Sequence, residues 1–221
     1  MKRKLSFLYA SLLCCALLIA TPAWAQIIYS NGPINGTIGN HDITAGNDTV
    51  TNSFLVSGPP FQMTYLTFGA WLNPGDVLQN VGINIWTQPT GGQLIFSADL
   101  GAFQYQCSTN SQNFSVCTEE VHVFQGQGPT FSANTTYWLS LTLANSQKGG
   151  PVGWDINNGV GCTSPGCPSQ AQDEFGNSIQ SESFAILGGL IQLPTPEPGS
   201  LALLATGIVG MAGAVRRKIM R

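Results

Sequence analysis

The chain has 221 residues, of which only 9% are Asp, Glu, Lys or Arg and 26 are glycine, against about 25% charged and about 7% glycine in an ordinary soluble domain. A hydrophobic fraction of 43% is enough for a packed core and excludes wholesale disorder. The net charge of −3 hides a segregation: Lys2, Arg3 and Lys4 open the chain, Arg216, Arg217, Lys218 and Arg221 close it, and between Gln26 and Leu193 ten acidic residues face one base, Lys148. That middle excludes a nucleic-acid binder, which needs clustered Lys and Arg to displace counterions.

Met1 to Ala25 reads as a secretory signal peptide. Lys2 to Lys4 form the basic region, Leu5 to Ala20 the apolar run, and Ala23-Trp24-Ala25 a small-x-small cleavage site. The mature chain is expected to begin at Gln26.

Residues 26–193 show no long stretch of helical periodicity. Short alternating or β-branched and aromatic runs predict strands at Thr49–Val56, Gln62–Trp71, Val81–Thr87, Gln93–Asp99, Ser115–Phe124, Thr136–Ala144, Val152–Asp155 and Glu182–Leu187. Turn residues separate them, among them Gly58-Pro59-Pro60, Asn73-Pro74-Gly75-Asp76 and Gly126-Gln127-Gly128-Pro129. Closely spaced strands without helical crossovers predict an all-β fold, an antiparallel β-sandwich or its jelly-roll variant. Alternation assigns Tyr137, Leu139, Leu141 and Leu143 to one apolar face and Trp138, Ser140 and Thr142 to the other. Val81, Ile83 and Ile85 repeat the pattern with Asn84 and Trp86 opposite.

Four cysteines follow the signal peptide: Cys107, Cys117, Cys162 and Cys167. An even count in an exported chain points to disulfides. Four cysteines allow three connectivities; proximity favours Cys107–Cys117 and Cys162–Cys167, each stapling a loop of the Ser/Asn/Gly-rich kind.

At the C-terminus, Thr195-Pro196-Glu197-Pro198-Gly199-Ser200 is a stiff polar segment, followed by the uncharged run Leu201–Val215 and then Arg216-Arg217-Lys218. As a helix the run is about 22 Å long, short of a hydrocarbon core of about 30 Å. Pro196-Glu197-Pro198, the apolar stretch and the terminal basic cluster together resemble the PEP-CTERM sorting domain of exported bacterial proteins. The resemblance implies recognition by an exosortase, a membrane-embedded cysteine protease or transpeptidase, in bacteria that make exopolysaccharide. It also implies a C-terminal membrane helix that holds the chain at the cell envelope or releases it to the extracellular matrix. The basic cluster would stay in the cytoplasm, leaving Gln26 to Leu193 outside. The middle resembles an uncharacterised β-rich domain of the same group through Phe68-Gly69-Ala70-Trp71, Tyr137-Trp138-Leu139, Gly153-Trp154-Asp155-Ile156-Asn157-Asn158-Gly159 and Ser181-Glu182-Ser183-Phe184. That group implies no activity.

Catalytic parts are scarce. The two histidines are His41, in the Asn40-His41-Asp42 segment read as a loop, and His122, between two valines of a strand. There is no G-x-S-x-G elbow and no H-E-x-x-H. A glycosidase pair could draw on Asp155, Glu174 and Glu182, but the Asp173-Glu174 segment reads as an exposed turn. Asp155-x-Asn157-x-Gly159 places hard oxygen ligands at alternate positions, so Asp155 and Asn157 are candidate ligands of a structural calcium. Asn40, Asp42, Asn47 and Asp48 form a second oxygen-rich segment. For carbohydrate, Trp86 and Trp138 on the polar-alternate faces of their strands are the candidate stacking platform. The sequence therefore predicts three segments: 1–25 signal peptide, 26–193 β-sandwich, 194–221 sorting and anchor segment. It predicts a non-enzymatic protein without a cofactor beyond that calcium. Its expected partners are an exosortase, the membrane and extracellular polysaccharide, with a carbohydrate-binding module or, behind it, a glycan hydrolase as rival functions.

Overall fold

A computed structural model describes residues 25–44, 49–123 and 128–190. The signal segment up to Trp24, with Ala23 of its cleavage site, lies outside the described residues, as do Asn47, Asp48 and the whole of 194–221 with Pro196, Glu197 and Pro198.

The described chain is all-β. Its thirteen strands are β1 (Gln26–Ser30), β2 (Gly39–Asp42), β3 (Val50–Val56), β4 (Phe61–Leu72), β5 (Leu78–Trp86), β6 (Leu94–Thr109), β7 (Ser115–His122), β8 (Thr130–Phe131), β9 (Thr135–Ser146), β10 (Gly153–Ile156), β11 (Ala171–Gln172), β12 (Ser178–Ile179) and β13 (Phe184–Leu190). They form one continuous network in the order β1-β13-β4-β7-β6-β5-β9-β3-β11-β12, with β10, β2 and β8 attached through β4. The strand pairs are antiparallel; a lone parallel bridge joins Thr44 to Ala144.

The network is double because β6 changes partner midway. Its first half pairs with β5 as far as Asn80↔Gly101, and its second half pairs with β7 from Ala102↔Val121. A strand that passes from one sheet to the other makes the corner of a sandwich. On the β5–β9–β3 layer, Ile83, Ile85, Leu139, Leu141 and Phe54 point inward; on the β13–β4–β7 layer, Phe184, Ile186, Leu66, Phe68 and Val121 do, and all join one buried cluster. Aromatic rings lock the layers together: Tyr29 of β1 lies 6.2 Å from Phe54 of β3, which meets Phe131 edge-on at 5.3 Å. Burying such side chains contributes roughly 1.5–3 kcal/mol each, so this cluster dominates the stability of the fold.

Each predicted strand has a counterpart, and the corrections are local. Leu143 does not continue the apolar face of β9. It adopts φ 51° and is 54% exposed, while Ala144 turns into the core. The pairing with β5 slips there, between Gly82↔Thr142 and Asn80↔Asn145, so a bulge advances the alternation by one residue. The strand predicted to end at Asp99 runs on to Thr109. Cys107 and Cys117 therefore do not staple a loop; they sit directly opposite each other in the β6–β7 ladder, Cα atoms 4.0 Å apart, and are bonded. Polar composition concealed this segment, because its outward positions face solvent and its strand is defined by the backbone ladder with β7. Cys162–Cys167 is the second bridge and does close a loop. His41 stands in β2, opposite Trp154 of β10, rather than in a loop.

Candidate functional site

The polar residues singled out by the sequence divide between a buried cluster and an open groove. Asp155 belongs to the first. Its carboxylate is fully buried and accepts four hydrogen bonds: from Asn35 N and Ser183 Oγ at Oδ2, 3.0 and 3.1 Å, and from Gly36 N and Trp71 Nε1 at Oδ1, 3.0 and 2.7 Å. A buried carboxylate is costly unless its lone pairs are met, and here protein donors meet them. Gly69 makes room, since a Cβ there would lie 2.6 Å from Asp155 Cβ and 2.8 Å from Ser183 Oγ. Asn157 is equally committed. Its Nδ2 donates to the carbonyls of Asn31 and Pro33 at 2.7 and 3.1 Å, and its Oδ1 accepts from Gly159 N at 2.9 Å. The candidate calcium positions thus tie Asn31, Pro33, Asn35 and Gly36 to Trp71 of β4, to β10 with the residues just after it, and to the segment before β13. Among the described residues, no group of three or more His, Cys, Asp or Glu is placed to hold a metal ion.

Glu182 is also buried. Its Oε1 bonds to His41 Nδ1 and its Oε2 accepts from Asn52 Nδ2, while Asn52 Oδ1 accepts from the Glu182 amide at 3.2 Å. Burial pushes the Glu182 carboxyl up, and the His41 and Asn52 partners pull it back. This Glu–His–Asn set escaped the sequence reading, because its members come from β2, β3 and the segment before β13, with Glu182 more than a hundred residues from the other two. No local spacing encodes such a meeting. The arrangement fixes the imidazole ring, but both carboxylate oxygens are engaged within the protein. Glu174, the third glycosidase candidate, sits far from such burial, in the exposed β11–β12 hairpin.

That hairpin walls the groove. Thr51 of β3, Ser140 of β9 and Trp86 of β5 lie on the outer face of the β5–β9–β3 layer. Pro89, Thr90 and Gly91 of the β5–β6 turn, with Thr49, Asp173 and Glu174, complete a groove of about 220 Å3. Alternation explains the floor: Ile85, Leu139 and Asn52 point inward, so Trp86, Ser140 and Thr51 must point out. Thr51 Oγ1 and Ser140 Oγ share a hydrogen bond of 3.1 Å across the strands. Asp173 caps its own turn, accepting from the amides of Phe175 and Asn177 at 3.0 and 2.8 Å and from Asn177 Nδ2 at 2.9 Å. The Asn177 side chain, despite some burial and with help from the turn amides, holds the Asp173 carboxyl below the usual range. Phe175, 80% exposed, stands beside these acids. Trp86 is half-buried and borders the groove; Trp138, its direct cross-strand neighbour, is only 7% exposed. Of the two predicted stacking residues, Trp86 is the one whose ring reaches the groove.

The groove offers one indole, neutral hydroxyls and flanking carboxylates. That chemistry suits a sugar ring, whose apolar face stacks on an aromatic plane while its hydroxyls find hydrogen-bond partners.

Comparison with known families finds the PEP-CTERM protein-sorting motif at residues 194–218. The chain therefore carries an exosortase sorting signal and is an exported, exosortase-processed protein. No curated protein matches the chain. Among the described residues no helix is long and apolar enough to cross a membrane; Leu201–Val215 lies outside them.

Proposed function

We propose that this exported, exosortase-sorted chain delivers a non-catalytic β-sandwich to the cell envelope, where it associates with extracellular polysaccharide through the Trp86 groove. The observation that carries the reading is the half-buried Trp86 ring beside the paired hydroxyls of Thr51 and Ser140 in an acid-walled groove. The non-catalytic part rests on the carboxylates. Asp155 and Glu182 are buried and bonded to protein partners, so neither is poised to protonate a glycosidic oxygen or to attack a sugar carbon, as glycosidases require.

Leu201–Val215 pauses in the membrane as a short anchor until the exosortase acts at the Pro196-Glu197-Pro198 motif. Glu197 is the one charge between Glu182 and Arg216, and it is flanked by two prolines, residues that lack a backbone donor. Two experiments separate the parts of this reading. Binding of the mature chain to an array of polysaccharides, with Trp86→Ala beside it, tests the groove; equal binding by both proteins removes the groove from the reading. Glu197→Ala in a host that carries the exosortase tests sorting: full-length protein accumulates in membranes if the motif is read, whereas identical wild-type and variant bands leave a plain anchor.

A further inference from the structure

The outer face of the other layer carries an aromatic patch that no sequence motif announced. We infer that Tyr65 of β4, Phe103 and Tyr105 of β6, and His122 of β7 form a second saccharide platform, across the core from the Trp86 groove. This rests on the polysaccharide-binding reading and extends it: with two platforms the domain bridges two glycan chains.

The placement follows from register. Leu66 pairs with Val121, and both are in the core. Their neighbours Tyr65 and His122, also paired, must therefore face away from it. Phe103 sits opposite Glu120 in the β6–β7 ladder, and a register shift beside it at Tyr105 keeps that ring outside as well. Phe103 is 58% and Tyr105 65% exposed, unusual for rings in a domain that buries Tyr29, Phe54, Phe61, Phe68, Phe131 and Phe184 completely or nearly so.

The patch is also held in place. His122 lies edge-on between Tyr65 and Phe103, with ring centroids 4.5 and 5.1 Å away. Glu120 Oε1 accepts from Tyr105 Oη at 3.3 Å and lies 2.5 Å from His122 Nε2. Rings fixed before binding lose little conformational entropy when a ligand arrives. Their hydroxyls, imidazole and carboxylate supply the polar partners that a sugar needs and a purely apolar partner would leave unpaired.

Charge selects the occupant. Among the described residues Lys148 is the one Lys or Arg, against nine Asp and Glu, and Glu120 lies within the patch itself. A nucleic acid, an anionic lipid surface or an acidic polysaccharide meets repulsion there, and so does a second copy of the same acidic domain. A neutral polysaccharide does not, and it stacks on flat rings without needing a cation.

The test uses the mature exported chain in four forms: wild type, Trp86→Ala, Phe103→Ala/Tyr105→Ala, and all three substitutions together. Phe103 and Tyr105 are exposed, so their removal leaves folding close to wild type, which thermal unfolding checks. Affinity electrophoresis through gels containing a neutral glucan, mannan or galactan reads binding, with alginate as the anionic control. Light scattering of the same soluble glucan, mannan or galactan reads bridging. Losing two stacking rings predicts roughly tenfold weaker binding or more at the patch, a tenfold loss being about 1.4 kcal/mol. The inference expects Phe103→Ala/Tyr105→Ala to weaken retardation and abolish bridging while Trp86→Ala also abolishes bridging, and the triple variant to bind no neutral glycan. It equally stands if the patch variant loses binding while Trp86→Ala does not, in which case the groove assignment alone fails. It is overturned if the patch variant binds and bridges as wild type does, if the patch variant changes only the oligomeric state in sedimentation, or if alginate is the preferred ligand. Absence of any glycan binding by wild type overturns it together with the groove reading.

Discussion

Glu119 provides a direct probe of how this fold treats a buried charge. It sits on β7 between Phe68 of β4 and Gln104 of β6, pointing inward and fully buried. Gln104 Nε2 reaches Oε1 at 3.3 Å, and Oε2 has no partner. Burial, only partly offset by the Gln104 donor, pushes the carboxyl from an ordinary 4.5 up to about 7. The folded state thus prefers the protonated form. Its contribution is fully present below pH 4.5, is lost as pH rises through the window from about 4.5 to about 7, and stays lost above it. At 1.36 kcal/mol per pH unit, the loss amounts to about 3 kcal/mol. Glu119→Gln keeps the shape and removes the titration. Urea denaturation of both proteins between pH 4 and pH 8, followed by tryptophan fluorescence, gives the stability difference at each pH. Any fixed cost of the buried amide cancels when those differences are compared. The variant is expected to gain about 3 kcal/mol on wild type between the two ends of the range. Parallel pH profiles would falsify the reasoning, because they would mean that Glu119 titrates as a hydrated carboxylate.

Three other perturbations probe the latches, the bridges and the bulge. Asp155→Asn turns an amide toward donors that now meet a carboxylate, and it should lower stability by about 1–3 kcal/mol for each buried donor left unpaired and expose residues 33–37 to proteolysis; a change below about 1 kcal/mol in the same denaturation assay contradicts the latch. Removing both sulfurs of the bridge with ten-residue separation, Cys107→Ser/Cys117→Ser, is expected to cost up to about 3 kcal/mol, and the five-residue Cys162–Cys167 bridge about 2 kcal/mol. In both cases the far-ultraviolet circular dichroism should stay that of a β protein, since the core and ladders do not depend on the sulfurs. Leu143→Asn places a residue that tolerates the left-handed region at φ 51° and should raise stability by up to about 1 kcal/mol; a clear loss would show that the exposed leucine contributes packing that outweighs its backbone cost.

The features the sequence determined by itself are those encoded by short-range pattern. Period-two runs such as Val81, Ile83 and Ile85 reveal strands because the pleat sends alternate side chains to opposite faces, whatever the partner strand is. The sorting segment was legible for the same reason: Pro196-Glu197-Pro198, the apolar run and the basic cluster are contiguous, and a linear peptide is what a processing enzyme reads. The pairing of cysteines by proximity also held, since a short separation leaves each sulfur few alternatives. Tertiary structure decided everything that depends on which strands become neighbours. It extended β6 past Asp99 because β7 was there to pair with its polar half. It turned Leu143 outward because a bulge in β9 accommodates the slip against β5. It tied Asp155 and Asn157 to protein partners because Asn31, Asn35, Gly36, Trp71 and Ser183, far apart in the sequence, converge on them. And it gathered Tyr65, Phe103, Tyr105 and His122 from three strands onto one face, a meeting set by ladder register, which no single segment of sequence contains.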